Sequence, residues 1–363
     1  MPGRRSLRLF IGCYEQDDAA GEPGFGIVAA SFDPDSLEFT VSGGAQAQNA
    51  SFLAFAPGGD LLYAVREASA GQIAMLAIDP ADDLAGDPAG GAPTPVAETS
   101  SGGADPCYLT LDASGRFLLG ANYSSGDVSV HRLAADGTVG ELCDLVSLAD
   151  SAPEGAGDTV SHAHMVLPAP SGDAILAVDL GADTISVHTL DLATGRLKLL
   201  AASRLRPGAG TRHLAFHPSG EFLYVANEFG NSVTACSYDP VSGTVEELAE
   251  YPAAPREDDV TSYPSGIVIS PDGRYVYVGN RGDESITAFA VVGEGAQLRA
   301  VGRWSCGGSW PRHLTLSPDG SLLFCANQRS NNVIMFHVDQ SDGTLSAAAA
   351  ELRLVHPAHV LIG

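Results

Sequence analysis

The chain repeats itself about six times, and that repeat constrains the fold more than any other feature. One unit, GTRHLAFHPSGEFLYVANEFGNSVTACSYDPVSGTVEEL, runs from Gly210 to Leu248. It returns as SYPSGIVISPDGRYVYVGNRGDESITAF from Ser262 and as SWPRHLTLSPDGSLLFCANQRSNNVIMFHV from Ser309. Upstream copies start at Asp105 (DPCYLTLDASGRFLLGANYSSGDVSVHRL) and Ser161 (SHAHMVLPAPSGDAILAVDLGADTISVHTL), with a weaker one at Asn49. The turn glycines Gly59, Gly115, Gly172, Gly220, Gly273 and Gly320 are 56, 57, 48, 53 and 47 residues apart. Short strands recurring at such a period, about 50 residues, build a propeller blade or a solenoid turn.

Each copy has the same grammar. A short apolar run such as HLAF meets a Gly turn, then come FLYVAN, a polar turn, SVTACSY and a last weak strand. The runs are too short for helices and rich in Val, Leu, Ile, Tyr and Phe, so they read as four antiparallel strands per repeat. Residues 7–40 supply a seventh copy that lacks its first strand: LRLFIGCY, GIVAASFD and LEFTVSG. The chain ends in HPAHVLIG, which reads as the missing strand. The expectation is therefore an all-β, seven-bladed propeller, residues 1–363 as one domain. Its ring is closed by the C-terminal strand beside LRLFIGCY, which removes exposed sheet edges.

Composition narrows the partners. A formal net charge of −25 argues against nucleic acid and anionic membranes. No apolar run approaches a membrane span, and MPGRRSLRLFIGCYEQ is too short in its apolar part for a signal peptide, so a cytoplasmic location is expected. The six cysteines have no metal-like spacing, and several lie inside apolar strands as small hydrophobes. Three longer loops are expected at 79–104, 148–161 and 251–262, as ordered excursions or lids.

Strand parity then brings polar residues together. In a four-strand meander the start of the first strand and the end of the second share one face of the disc, around the central channel. Aligning the repeats gives two rings there. The first holds Ser51, Cys107, His164, Arg212, Ser265 and Arg312; the second holds Tyr14, Arg66, Tyr123, Leu180, Glu228, Arg281 and Gln328. Scaffold positions should be apolar and alike, whereas these are polar and differ from blade to blade. Several arginines, one histidine and one carboxylate make an anion site, since guanidinium suits carboxylate and phosphate. Any single arginine here is as readily inter-blade glue; it is their coincidence with His164 and Glu228 that points to a site. His162 shares the side of His164, His213 and His313 are expected to point into the sheet packing, and His217 belongs to the opposite face. No P-loop, HExxH, GxSxG or CxxC pair is present, and His162-Ala-His164 is a lone HxH, so neither cofactor nor metal is expected.

At these residues the chain resembles the lactonase family of seven-bladed propellers, which includes the bacterial propeller type of 6-phosphogluconolactonase and the fungal carboxy-muconate lactonizing enzymes. The most specific stretch is GAGTRHLAFHPSGEFLYVANEFGNSV; SHAHMV, GNRGDESI and PRHLTLSPDGSLLFCANQRSNNV extend the likeness over nearly the whole chain. Thr211 stands where many relatives carry Pro, a departure without expected functional consequence. The resemblance implies catalytic or substrate-binding roles for His164, Arg212, Glu228 and Arg281. It implies a small anionic lactone as partner, with 6-phosphogluconolactone first. In that reading Glu228 or His164 is the base, Glu228 being favoured with His164 passing the proton to the ring oxygen, and Arg212 stabilises the oxyanion. Arg281, with Arg66 or Arg312, anchors the charged tail, and Tyr14, Tyr123 and Gln328 complete the substrate surface. Two other functions fit the same rim: cyclisation of a carboxylated muconate, and a non-catalytic module that displays the rim to a protein. Only Trp304 and Trp310 are present, so the repeated Gly-His…Trp-Asp signature of such modules is missing.

Overall fold

The computed structural model describes residues 6–14, 24–79, 91–151, 160–255 and 261–363. These form seven four-stranded antiparallel sheets, each a meander. In the fifth, Thr211–Phe216 pairs with Phe222–Asn227, then Ser232–Tyr238, then Val245–Pro252. The first blade takes its innermost strand from the other end of the chain. Pro357–Ile362 lies antiparallel to Leu7–Cys13, with Ile11 opposite Val360 and Leu9 opposite Ile362. The expected ring closure is the observed one.

The core lies between blades. Seven apolar clusters fill the seven blade-to-blade interfaces. The closing interface joins Leu9, Ile11 and Phe32 to Phe324, Met335 and Val360. The tyrosine of FLYVAN-type strands adds a polar tie. Tyr224 and Tyr277 hydroxyls donate to Gly295 and Gly343 carbonyls of the following blade, at 2.8 and 3.1 Å.

Two features of the second strand's end matter for the site. Asn122, Asn227 and Asn327 occupy its last position and Asn280 the last but one, and all four are fully buried. Their amides bond sideways: Asn227 to Ser232 and Thr234, Asn280 to Ser285 and Thr287, Asn122 to Asp127. The next residue is the one aimed at the channel.

The innermost strands depart from simple alternation. Pairing skips one residue between Pro106 and Tyr108, Ala163 and Met165, Thr211 and His213, and Pro311 and His313. A β-bulge therefore sits on Cys107, His164, Arg212 and Arg312, and a bulge re-aims the side chain it carries. The turns at Gly220, Gly273 and Gly320 close by bonds to His217, Ser270 and Ser317. They sit side by side, since a Cβ at Gly273 would meet His217, and one at Gly320 would meet Pro271.

The expected loops need one correction. Thr94–Ser100, inside the span 79–104, is the outer strand of the second blade, paired with Gln72–Ala77. It is solvent-exposed almost throughout, so the apolar signal that marks inner strands is missing. Leu148–Ser151 is a single 3₁₀ turn, and Tyr251 and Pro252 end a strand. The remaining parts of the three loops, 80–90, 152–159 and 256–260, lie outside the described residues.

Candidate active site at the channel mouth

Glu228 is the hub of the mouth. Its backbone N–H donates to the Gly210 carbonyl at 2.7 Å, which fixes the end of its strand against the start of the neighbouring one. Its Oε2 lies 2.7 Å from Arg281 Nη2 and 3.1 Å from Arg212 Nε. Arg281 is itself held, donating from Nε to the Tyr263 carbonyl and from Nη2 to the Pro264 carbonyl. Arg212 is only 2% exposed, and its Nη1 reaches His213 Nδ1 at 3.4 Å. Burial, with the nearby Arg281 charge, presses the Arg212 guanidinium below its ordinary value, while Glu228 works the other way. The three residues come from the fifth and sixth blades, as the strand-parity argument requires.

His164 completes this half of the mouth. It is buried, with Cys107 Sγ 3.9 Å from its Nδ1, and it meets Tyr123 and His213 edge-on at 5.5 and 5.0 Å. Burial, then the Arg212 and Arg312 charges, hold it well below the usual histidine value. It is a neutral imidazole at neutral pH. Tyr123 stacks on His162 at 4.5 Å, so His162 does reach the rim, as a support for Tyr123.

Across the mouth stands a second charged group that the aligned rings miss. Glu67 Oε2 accepts from the Tyr14 hydroxyl at 2.7 Å and from the Ser51 hydroxyl, and Arg312 Nη2 lies 3.9 Å away. Arg312 also donates to the Tyr14 hydroxyl at 2.5 Å. Burial opposes the Arg312 charge, yet Tyr14 and Glu67 beside it hold it above its ordinary value. The two halves feel each other: Cys107 senses both Glu67 and Arg212, and Arg281 senses both Arg312 and Tyr14.

Arg66 is not part of this site. It occupies the slot that Asn227 holds in the fifth blade, and like that asparagine it bonds sideways, to Gln72 at 2.8 Å, and further out to Glu98 and Gln48. Side chains alternate along a strand, so a one-residue slip in alignment sends the chain to the other side. The residue equivalent to Glu228 is Glu67. The mouth thus has two carboxylates, where one was expected.

His213 and His313 also differ from expectation. The bulges on Arg212 and Arg312 leave the next residue on the channel side as well. Together with His359, Phe52, Tyr108 and Met165 they form a floor under the mouth, with ring centroids 3.9 Å apart for Phe52 and His359 and 4.1 Å for His313 and His359. The same residues line a cavity of about 760 Å³ in the channel that reaches Pro271 and Pro318 toward the opposite face. Leu180 is an apolar rung, and Gln328 bonds through its backbone to the Trp310 carbonyl while its Oε1 is buried without a partner among the described residues.

Trp310 is a rim residue that the alignment does not single out. It adopts a left-handed backbone, φ 66°, at the position where Asn49, Asp105 and Gly210 stand in other blades. Asn, Asp and Gly tolerate that region; tryptophan does not readily. Its indole faces Arg329 at 3.4 Å and Arg281 at 5.4 Å. A non-glycine residue strained beside a charged cluster is the kind of signal a sequence alone does not carry.

Comparison with known proteins gives one family. The model of the family described as Lactonase, 7-bladed beta-propeller, matches residues 8–362. A protein named 6-phosphogluconolactonase from Bacillus subtilis is 32% identical over 257 residues, 70% of this chain and 72% of its own. One of the same name from Formosa agariphila is 30% identical over 301 residues, 81% of this chain and 82% of its own. The solved structure of the periplasmic gluconolactonase of Pseudomonas aeruginosa superposes with a TM-score of 0.85 at 26% identity. It covers 98% of this chain and 99% of its own.

Proposed function

The chain belongs to the lactonase family of seven-bladed β-propellers, and from that premise we propose that it is a metal-independent lactonase of a charged sugar lactone, 6-phosphogluconolactone being the first substrate to test. The observation that carries this reading is the Glu228 carboxylate held by two buried arginines, one of which, Arg212, also acts on the buried, neutral His164 of the same mouth. The names of the two curated relatives support the substrate class.

The residues at the mouth support the following chemistry. Water attacks the lactone carbonyl carbon while Glu228 takes one of its protons. The carbonyl oxygen becomes an oxyanion beside Arg212, whose burial strengthens that interaction. Collapse re-forms the carbonyl and breaks the ring C–O bond. The ring oxygen receives the proton from Glu228 through the His164 imidazole, which accepts at one nitrogen and donates at the other. Three guanidiniums against two carboxylates leave one net positive charge at the mouth, which matches the single negative charge that develops.

The role of Arg281 changes from the expected one. It is committed to Glu228 and two carbonyls, so it orients the base. Arg312, whose Nε and Nη1 have no hydrogen-bond partner among the described residues, is then the anchor for a charged tail.

The test is pH-stat hydrolysis with a panel of phosphorylated and unphosphorylated sugar lactones, with and without EDTA, above an enzyme-free blank. Turnover of one or more lactones that EDTA leaves unchanged supports the proposal. Failure of every lactone to exceed the blank removes it.

A further inference from the structure

Glu67 is the structural counterpart of Glu228, seated in the second blade where Glu228 sits in the fifth. Its surroundings differ in one informative way. Glu228 is gripped by guanidiniums; Glu67 is gripped mainly by hydroxyls. Its Oε2 is taken by the Tyr14 and Ser51 hydroxyls, and Arg312 stands off at 3.9 Å. Its Oε1 accepts no hydrogen bond among the described residues, and the side chain is 22% exposed at the mouth. Its backbone is pinned as well: the N–H donates to the Asn49 carbonyl at 3.2 Å, and the carbonyl accepts from Asn49 Nδ2 at 3.1 Å. One carboxylate oxygen is therefore held by two hydroxyls, while the other has no partner among the described residues on a side chain still partly exposed at the mouth.

We propose that Glu67, with Ser51, Tyr14 and Arg312, is a polyol subsite, in which the open carboxylate oxygen accepts hydrogen bonds from the hydroxyls of the sugar lactone. This deepens the lactonase reading and rests on it. A carboxylate acceptor with a neighbouring guanidinium donor is the pair that a row of hydroxyls satisfies, since each hydroxyl both gives and accepts. The placement across the mouth from Glu228 makes the substrate span the channel: the carbonyl lies at Arg212 and Glu228, and the hydroxylated carbons lie at Glu67. A site built this way favours a ligand with hydroxyls, because without them the open oxygen of the half-buried carboxylate gains no partner. Glu67 is thus a specificity-determining residue, and it does not take part in the bond-breaking step.

The experiment uses a matched pair of six-carbon diacids, D-glucarate with four hydroxyls and adipate with none. Calorimetric titration of the wild type should show glucarate preferred. Glu67→Gln should weaken glucarate by about 10–100-fold, the range for losing a charge-assisted hydrogen bond, and leave adipate as it was. Glu67→Asp, which keeps the charge and loses reach, should fall between, and it serves if the Gln variant fails to fold. On 6-phosphogluconolactone, Glu67→Gln should raise KM at nearly constant kcat. A purely structural role would instead lower the melting temperature and weaken both diacids alike, and that outcome overturns the proposal. So does an unchanged glucarate affinity in the variant. A wild type that hydrolyses lactones but shows no Glu67-dependent preference sinks only this subsite. One that hydrolyses no lactone and binds neither diacid sinks the lactonase reading with it.

Discussion

At the scale of single residues, the mouth divides labour among groups of one chemical type. Glu228→Gln keeps the size of the side chain and removes its ability to take a proton. Turnover should fall by about two to four orders of magnitude, the range for losing a general acid or base, with the fold intact by circular dichroism. Arg212→Ala should lower kcat by about 10²–10³, because an oxyanion partner acts mostly in the transition state. Arg281→Ala should also act on kcat, since it frees the Glu228 carboxylate that it orients. Arg312→Ala should act on KM for phosphorylated lactones and spare kcat. Steady-state kinetics on all three separates base orientation from substrate anchoring; equal KM effects for Arg281→Ala and Arg312→Ala would contradict the assignment. His164, Arg212, Glu228 and Arg281 were legible in the sequence because each breaks an otherwise repeated pattern. Glu67 was not, because Arg66 stands in the asparagine slot before it, and the charged Arg-Glu pair allows either residue to be read as the rim member.

Individual strands carry the next level of control. Four of the innermost strands bulge at the rim residue, at Cys107, His164, Arg212 and Arg312, and in three of these blades the entry residue, two before the bulge, has a left-handed backbone. In the fifth blade that entry is Gly210, φ 67°, whose carbonyl accepts from Glu228 N–H. A Cβ there would lie 2.6 Å from the Phe229 ring and 2.9 Å from its backbone nitrogen. Gly210→Ala should therefore cost about 1–2 kcal/mol of stability and lower kcat together with the melting temperature, because Glu228 moves with the strand end. Thermal denaturation alongside kinetics checks it; an unchanged melting temperature would show that the left-handed entry is not required. The strands themselves were readable from short apolar runs and turn glycines. The bulges were not, since a skipped residue leaves no mark on composition, and strict alternation wrongly turned His213 and His313 into the sheets. The exposed strand Thr94–Ser100 escaped for the opposite reason: nothing buries it, so nothing selects apolar residues.

On the scale of the whole molecule, closure and protonation set stability. Deleting Val360 to Gly363 removes the pairing of Leu9, Phe10 and Ile11 with the last strand and opens the closing core cluster. A loss of cooperative unfolding or a large drop in melting temperature is expected by calorimetry, and an unchanged transition would refute closure as a source of stability. The floor of the channel adds a pH dependence. Burial holds His164, His213 and His359 well below the ordinary histidine value, and His313 at about 3. The unfolded chain takes up protons at these groups below about pH 6.5 while the folded chain does not, so their stabilising share is full above that pH and is lost as pH falls. Each can contribute a slope of up to about 1.4 kcal/mol per pH unit. Melting temperature should decline from pH 6.5 downward, and His359→Phe, which keeps a ring against Phe52, should flatten the decline; an equal slope in the variant would exclude His359 as a source. Whether the mouth of this ring hydrolyses a lactone with Glu228 as its base is decided by one comparison. Wild type and Glu228→Gln are assayed by pH-stat on 6-phosphogluconolactone above the enzyme-free blank. Clear wild-type turnover and a variant rate at least about a hundredfold lower are expected; equal rates for the two proteins above the blank would rule out Glu228 as the base.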